Sequence, residues 1–313
     1  MDFFVQQIVN GVTLGSVYAL IALGYSMVYG ILKLLNFAHG EVYMMGAFIG
    51  YFVLTGLGGA SSPMLPVAPL LILMFLAAML GAGLLGVVIE RFAYRPLRNA
   101  PRIAPLISAI GVSFFLQASA LLLFSAQFRT YNTPQLIPFS TGLEVGPLRI
   151  SLVRMLVIGS AIVLMIALTL LVNRTRLGKA MRAVSYDREA AAMMGIDVDK
   201  VIVKTFFIGS ALAGAAGVLV GLVFGQINHF MGFNYGLKGF TAAVVGGIGS
   251  IPGAMFGGIF IGLAEAFSIG YIEDLTRGRL GSAFSDLVVF LILVVFMLVR
   301  PQGIFGKPEV KKV

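Results

Sequence analysis

Apolar runs of close to twenty residues recur from one end of this 313-residue chain to the other. That is the length a helix needs to cross a bilayer, roughly 20 residues, whereas an outer-membrane barrel would show alternating segments of about ten. With 59% hydrophobic and only 11% charged residues, the chain could not cover its surface with water-compatible groups, since soluble domains carry about a quarter charged residues. The reading is an all-α fold: a polytopic transmembrane helical bundle, a single transmembrane domain over residues 1–313. The 39 glycines suit helices that approach one another closely in lipid.

The net charge of +9 does not point to nucleic acid, because the basic residues sit in short loops between apolar runs. That distribution is the positive-inside bias that orients a membrane protein against its lipid. The absence of cysteine excludes disulfides, iron–sulfur clusters and thiol chemistry. The first residues, MDFFVQQIVNG, lack a basic n-region, so the first apolar run reads as a retained span.

The spans are expected at about 8–31, 67–89, 103–125, 152–172, 205–225 and 283–299, with a short run at 42–54. That short run follows a polar break, Lys33 to Glu41, and is expected to be tilted, broken or re-entrant. Gly11 and Gly15 stand at GxxxG spacing, and Ser210, Gly214, Gly217, Gly221 and Gly225 extend a small-residue stripe over four turns. Between Asn234 and Gly262 the run Gly246-Gly-Ile-Gly-Ser-Ile-Pro-Gly253 breaks any continuous helix, leaving either a helical hairpin or a discontinuous span. Arg91, Arg95, Arg98 and Arg102 mark one loop as cytoplasmic and the 173–204 stretch is another, so the N-terminus lies outside. The span count is eight or nine. Nine is favoured, because it places the basic tail with Lys307, Lys311 and Lys312 inside.

The longest polar interruption is residues 173–204, with eleven of the chain's 35 charged residues, seven of them basic. Positions 180, 183, 184, 187, 190, 191 and 194 follow helical spacing and all but Asp187 are apolar. The segment therefore forms one or two short helices with a shallow apolar face and a charged back. Asp187 is the expected N-cap, with Glu189 in the first turn where the helix dipole favours an acid, and Gly195 is the expected stop. Such a knob fits a groove on a partner in the cytosol. A solvated loop helix is the plainer alternative.

No reaction centre is present. Gly178-Lys-Ala180 lacks both the preceding loop and the hydroxyl of a P-loop, HExxH and GxSxG are absent, and His39 and His229 have no cysteine partners. The chain is expected to be no enzyme and to hold no cofactor and no metal. Acids at membrane depth mark ion or substrate paths. Glu41, Glu265 and Asp286 qualify by position. Glu41 and Asp286 can reach the interface and read first as helix-end residues, while Glu265 should be protonated, paired or facing a water-filled cavity.

Glu189-Ala-Ala-Ala-Met-Met-Gly195 resembles the EAA-xxx-G coupling loop of permeases in bacterial ATP-binding-cassette importers, although the apolar-Pro continuation is missing. The stretch from Gly24 to Gly46, GYSMVYGILKLLNFAHGEVYMMG, resembles the signature of the branched-chain amino-acid (LIV-type) permeases, H-type subunit. Gly178-Lys-Ala-Met-Arg-Ala-Val184, Ala192-Met-Met-Gly-Ile196 and Phe240-Thr-Ala-Ala-Val-Val-Gly-Gly-Ile-Gly-Ser250 are similar to that family too. The resemblance runs from about residue 4 to 305. It implies an inner-membrane importer of five components: this subunit, a second homologous permease, two ATPase subunits and a periplasmic solute-binding protein. The implied substrate is a branched-chain amino acid, and relatives in the family carry urea or short amides. The ATPase-coupling residues would be Asp187, Arg188, Glu189, Ala190, Ala191, Met194 and Gly195, so a bulky charge at Ala191 should uncouple hydrolysis from transport without unfolding the permease.

Two short broken segments in corresponding halves of a transporter point to its pathway. Asn36-Phe37 and Asn234-Tyr235 correspond weakly in this way, so Asn36, His39, Asn234 and Lys238 join the acids Glu41 and Glu265 as candidate path residues, with capping and turn roles the alternative for these four. The competing class, a self-sufficient secondary transporter or channel, would need embedded charge pairs, which the sequence does not favour.

Overall fold

The computed structural model describes residues 2–98, 100–101, 103–138, 141–145, 148–275 and 284–306. The tail lysines 307, 311 and 312, together with Arg102 and residues 276–283 of the charged loop, lie outside them. Six of the described helices are long and apolar enough to cross a membrane. They are α1 (Asp2–Leu32), α3 (Val67–Ile89), α4 (Ile103–Phe124), α6 (Leu152–Arg174), α9 (Val198–Phe224) and α11 (Ile251–Leu275). Three shorter helices complete the bundle: α2 (His39–Gly56), α10 (Met231–Gly246) and α12 (Phe284–Val299). The remaining α-helices are a single turn, α5 (Thr133–Leu136), and two on the charged stretch, α7 (Arg176–Tyr186) and α8 (Arg188–Met193), while a π-helical turn (Glu90–Tyr94) and a 3-10 turn (Arg95–Leu97) continue α3. Four short strands, β1 (Arg129–Thr130), β2 (Gly142–Val145), β3 (Leu148–Ser151) and β4 (Gln226–Ile227), pair antiparallel as β1–β4 and β2–β3.

The helices α1 and α9 sit at the centre, buried over most of their length, while α3, α4 and α6 turn apolar faces outward. Leu122 of α4 (84% exposed) belongs to that outer belt, and Leu298 of α12 (79%) extends it. In water such a surface would aggregate. In lipid it is the ground state, because the acyl chains are as apolar as the side chains.

With little hydrophobic drive between helices in lipid, contacts form where small residues let backbones meet. α1 runs antiparallel to α11: a side chain at Gly262 would strike the backbone of Gly15, and one at Gly11 would meet Leu263. The GxxxG pair is therefore a true packing face. On α9 the small-residue stripe receives α2 and α3, with Gly214 against Gly46 on one side and Ala78 on the other. That helix starts at Val198, two turns earlier than its hydropathy suggests, so the 173–204 stretch ends inside it.

The Gly-rich stretch forms a hairpin. α10 and α11 lie antiparallel and the turn between them uses positive φ at Gly247 and Gly249, conformations that a side chain disfavours. Residues 303–306 return to this turn, where Ile304 and Phe305 donate backbone hydrogen bonds to the Val245 and Gly246 carbonyls at 2.9 and 3.0 Å. The turn lies beside Gly30 near the C-terminal end of α1. The last described residues thus share a side with the end of α1.

After Leu32 the chain turns back through Lys33, which holds a positive φ of 55°. His39, the first residue of α2, packs against Gly24 of α1. Eight residues separate Gly24 from Leu32, about 12 Å along a helix. The short second helix therefore begins inside the bundle and its first three residues, His39, Gly40 and Glu41, are buried.

Candidate functional site

The polar stretch folds into the two helices α7 and α8, broken at Asp187, whose backbone is extended at φ −155°. Its carboxylate accepts from the Glu189 and Ala190 amides at 3.0 and 3.1 Å. Gly195 ends the unit at φ 81°. Cap and stop both lie where the spacing puts them.

The face of this unit differs from the expected one. Gly178, Met181 and Val184 of α7 and Ala191 of α8 turn into the chain's own core. Ala191 is only 5% exposed, whereas Met193, Met194 and Tyr186 are 82%, 83% and 89% exposed. The apolar surface open to a partner is therefore the methionine side, along with exposed Glu189 and Ala190. A helical wheel of short helices cannot distinguish two apolar faces; the neighbour that covers one of them does.

Arg188 reaches from α8 to the last turn of α1, donating to the Leu32 carbonyl at 2.9 Å and to that of Ile31 at 3.2 Å. A cation at a helix C-terminus satisfies carbonyls that have no intrahelical partner. Burial, with the Arg98 guanidinium as a second influence, holds the Arg188 guanidinium below its ordinary range. Arg98 itself bridges Glu90 and Asp199, and Arg95 also pairs with Asp199. The arginine loop is thus tied to the first turn of α9. From the same loop Tyr94 donates toward the Leu35 carbonyl and Asn36 Oδ1, at 3.1 and 3.2 Å. The polar unit and the arginine loop thus hold the chain just before and within the break that follows α1.

The six residues expected along a path do not form one site. Asn36 is buried and held by Tyr94, and its Nδ2 has no partner. His39 packs edge-on to Tyr25, with ring centroids 4.7 Å apart and neither nitrogen in a hydrogen bond of ordinary geometry. Asn234 lies on an exposed face of α10. Lys238 and Glu265 belong to a separate cluster. The Lys238 ammonium sits 2.6 Å from Glu265 and 2.7 Å from Asp286, and the Tyr18 hydroxyl donates to the other Glu265 oxygen at 2.7 Å.

An embedded charge pair is therefore present: of the three states open to Glu265 the paired one is realised, although the sequence did not favour such a pair. Lys238 and Glu265 come from different arms of the hairpin, so neither one's local sequence announces the other. Both Glu265 oxygens are occupied, and the cluster braces α1, α10, α11 and α12.

Glu41 stands elsewhere. It lines a cavity of about 250 Å³ between α1, α2, α4 and α10. Its Oε1 accepts from Ser113 at 3.3 Å, and its Oε2, against Gly232, has no hydrogen-bond partner. Tyr25, Ser113 and Gln117 add polar groups to walls otherwise made by phenylalanines, Ile110, Leu237 and glycines. Tyr25, Ser113 and Gln117 escaped the sequence reading, because a hydroxyl or amide in an apolar helix carries no spacing signal. Among the described residues no group of acids and histidines could hold a metal ion.

Residues 7–298 match the family model described as "Branched-chain amino acid transport system / permease component". The chain belongs to this family. It is 44% identical, over 99% of its length and 98% of the relative's, to the high-affinity branched-chain amino acid transport system permease protein BraD of Pseudomonas aeruginosa. The LivH permease protein of Escherichia coli is equally similar, at 44% identity with the same coverage of both chains. A probable LivH of Methanocaldococcus jannaschii is 26% identical over 92% of this chain and 88% of the relative. As a member of the permease family the chain is a transport subunit, not an enzyme, and a multi-pass membrane protein. The family places it in an importer whose ATPase and solute-binding components are separate proteins.

Proposed function

We propose that this chain forms half of the translocation path for branched-chain amino acids in an inner-membrane ATP-binding-cassette importer. A second, homologous permease supplies the other half. Two ATPase subunits dock on the α7–α8 unit, and an extracytoplasmic binding protein delivers the amino acid. The observation that carries the reading is the build of α8. One side leaves Met193 and Met194 exposed, while Arg188 on the other holds the end of α1.

A push on α8 moves Arg188, and with it the α1 carbonyls that precede the 33–38 break. Tyr94 holds the far side of that break, so the α2 entrance with Glu41 follows the docked ATPase. Flexible, polarizable methionines suit such a docking face.

The test is reconstitution in vesicles of this chain alone, then with its ATPase, second permease and binding protein, following labelled leucine and phosphate release. ATP-dependent leucine entry should require all components. Entry through the isolated chain would overturn the assignment. Urea or a short amide carried in place of leucine would correct the solute.

A further inference from the structure

We propose that the Glu41 cavity is a zwitterion-binding subsite for an α-amino acid, with Glu41 receiving the ammonium group. The inference rests on the transport reading above and names the groups that would recognise the solute.

A carboxylate 1% exposed, with one oxygen unpartnered, is costly in an apolar bundle. The Lys238–Glu265 pair shows that this bundle matches a buried acid with a base when bracing is all that is needed. Glu41 has only the Ser113 hydroxyl, at 3.3 Å. Its second oxygen, packed against Gly232, is the one assigned to the cation that the transported solute brings.

The cavity supplies the rest of an amino acid's needs. Two helices begin at its wall: α2 with Gly40, and α10 with Gly232 next to its first residue. Neither start carries a side-chain cap. Uncapped N-termini of helices that begin within a membrane favour anionic groups of a substrate, here the α-carboxylate. Glycine at both positions lets the two backbones meet, and any side chain at Gly232 would press on the Glu41 carboxylate. Phe114, Phe233 and Phe240 line the apolar part, where an aliphatic side chain fits. The volume of about 250 Å³ is just below the roughly 300–1,000 Å³ of drug-sized pockets, as a small solute requires. An ammonium could also come from the headgroup of an ethanolamine lipid, which shares this chemistry.

The experiment uses the complete importer in vesicles of phosphatidylcholine, with and without phosphatidylethanolamine. It measures leucine delivered per ATP hydrolysed under saturating loaded binding protein. Glu41→Gln should assemble and keep its stimulated hydrolysis, yet deliver leucine at a ratio about tenfold or more lower, because a charge-assisted hydrogen bond becomes a neutral one. Glu41→Asp should fall between the two. An unchanged ratio in Glu41→Gln overturns the subsite while leaving the transport assignment standing. Loss of hydrolysis together with transport overturns it as well, in favour of a structural role. A defect confined to vesicles with phosphatidylethanolamine assigns the site to lipid. No leucine transport by the wild-type complex overturns both readings. Should Glu41→Gln fail to assemble, Ser113→Ala and Gln117→Leu change the opposite wall and leave the acid in place. An unchanged ratio in both then overturns the proposal.

Discussion

Replacing Lys238 by methionine isolates the energetic weight of the buried cluster. The substitution keeps a long unbranched stem but leaves Glu265, whose side chain is 7% exposed, charged and without its cation. Removing one partner of a buried pair costs about 3–5 kcal/mol, since the remaining charge is desolvated and uncompensated. At 1.36 kcal/mol per decade that is about two to nearly four orders of magnitude in the folding equilibrium. Asp286 is the control. Its side chain is 46% exposed, so solvent screens its share and Asp286→Asn should cost about 0–1 kcal/mol. The double variant Lys238→Met with Glu265→Gln removes the orphaned charge and keeps an acceptor for the Tyr18 hydroxyl. It should recover more than about half of the loss, as replaced buried pairs often do. The assay is reversible unfolding of the purified permease in mixed micelles, with the four proteins compared at one lipid-to-detergent ratio. Equal losses in Lys238→Met and Asp286→Asn, or a double variant no more stable than the single one, would refute the brace.

Other perturbations separate docking from folding. Asp at both Met193 and Met194 should leave insertion and thermal stability within about 0.5 kcal/mol of wild type, as exposed substitutions do, while abolishing leucine-coupled hydrolysis in the reconstituted importer. Ala191→Glu should instead destabilise the permease by several kcal/mol, because the new charge enters a packed interior; expression and micelle unfolding report it. Arg188→Ala should cost about 1–2 kcal/mol of stability through the uncovered α1 carbonyls and lower leucine delivered per ATP, with ATPase binding retained in a pull-down. Asp197 caps α9, and its carboxyl is held below its usual range chiefly by the Lys200 amide. A depressed pKa contributes stability above the unfolded value of about 3.9 and loses it as pH falls through the folded one. The Tm difference between wild type and Asp197→Ala should therefore be flat from neutral pH to about 5 and close below about 4.

Much of this could be read before the fold was seen. The cap at Asp187 and the stop at Gly195 are local events, decided by one side chain and one backbone angle. The break ahead of α2 and the Gly-rich hairpin were legible because proline, glycine and polar residues interrupt an apolar run wherever they stand. The glycine at position 15 carried its own message, since only a close neighbour makes such spacing useful in lipid. By contrast, Asn234 and Glu41 looked alike as candidates, and the fold put one on an exposed face and the other in a cavity.

By itself, then, the sequence determined the membrane class, the order of spans and the capped, two-helix polar unit. Each of these depends on residues near one another in the chain. Tertiary structure alone decided that Ala191 faces inward and Met193 and Met194 outward, that Lys238 meets Glu265 across 27 residues, and that Glu41 is left one partner short. The reason is physical. A span apolar on every side carries no stripe to say which face turns inward, so facing is settled by steric fit between helices and by which polar groups meet.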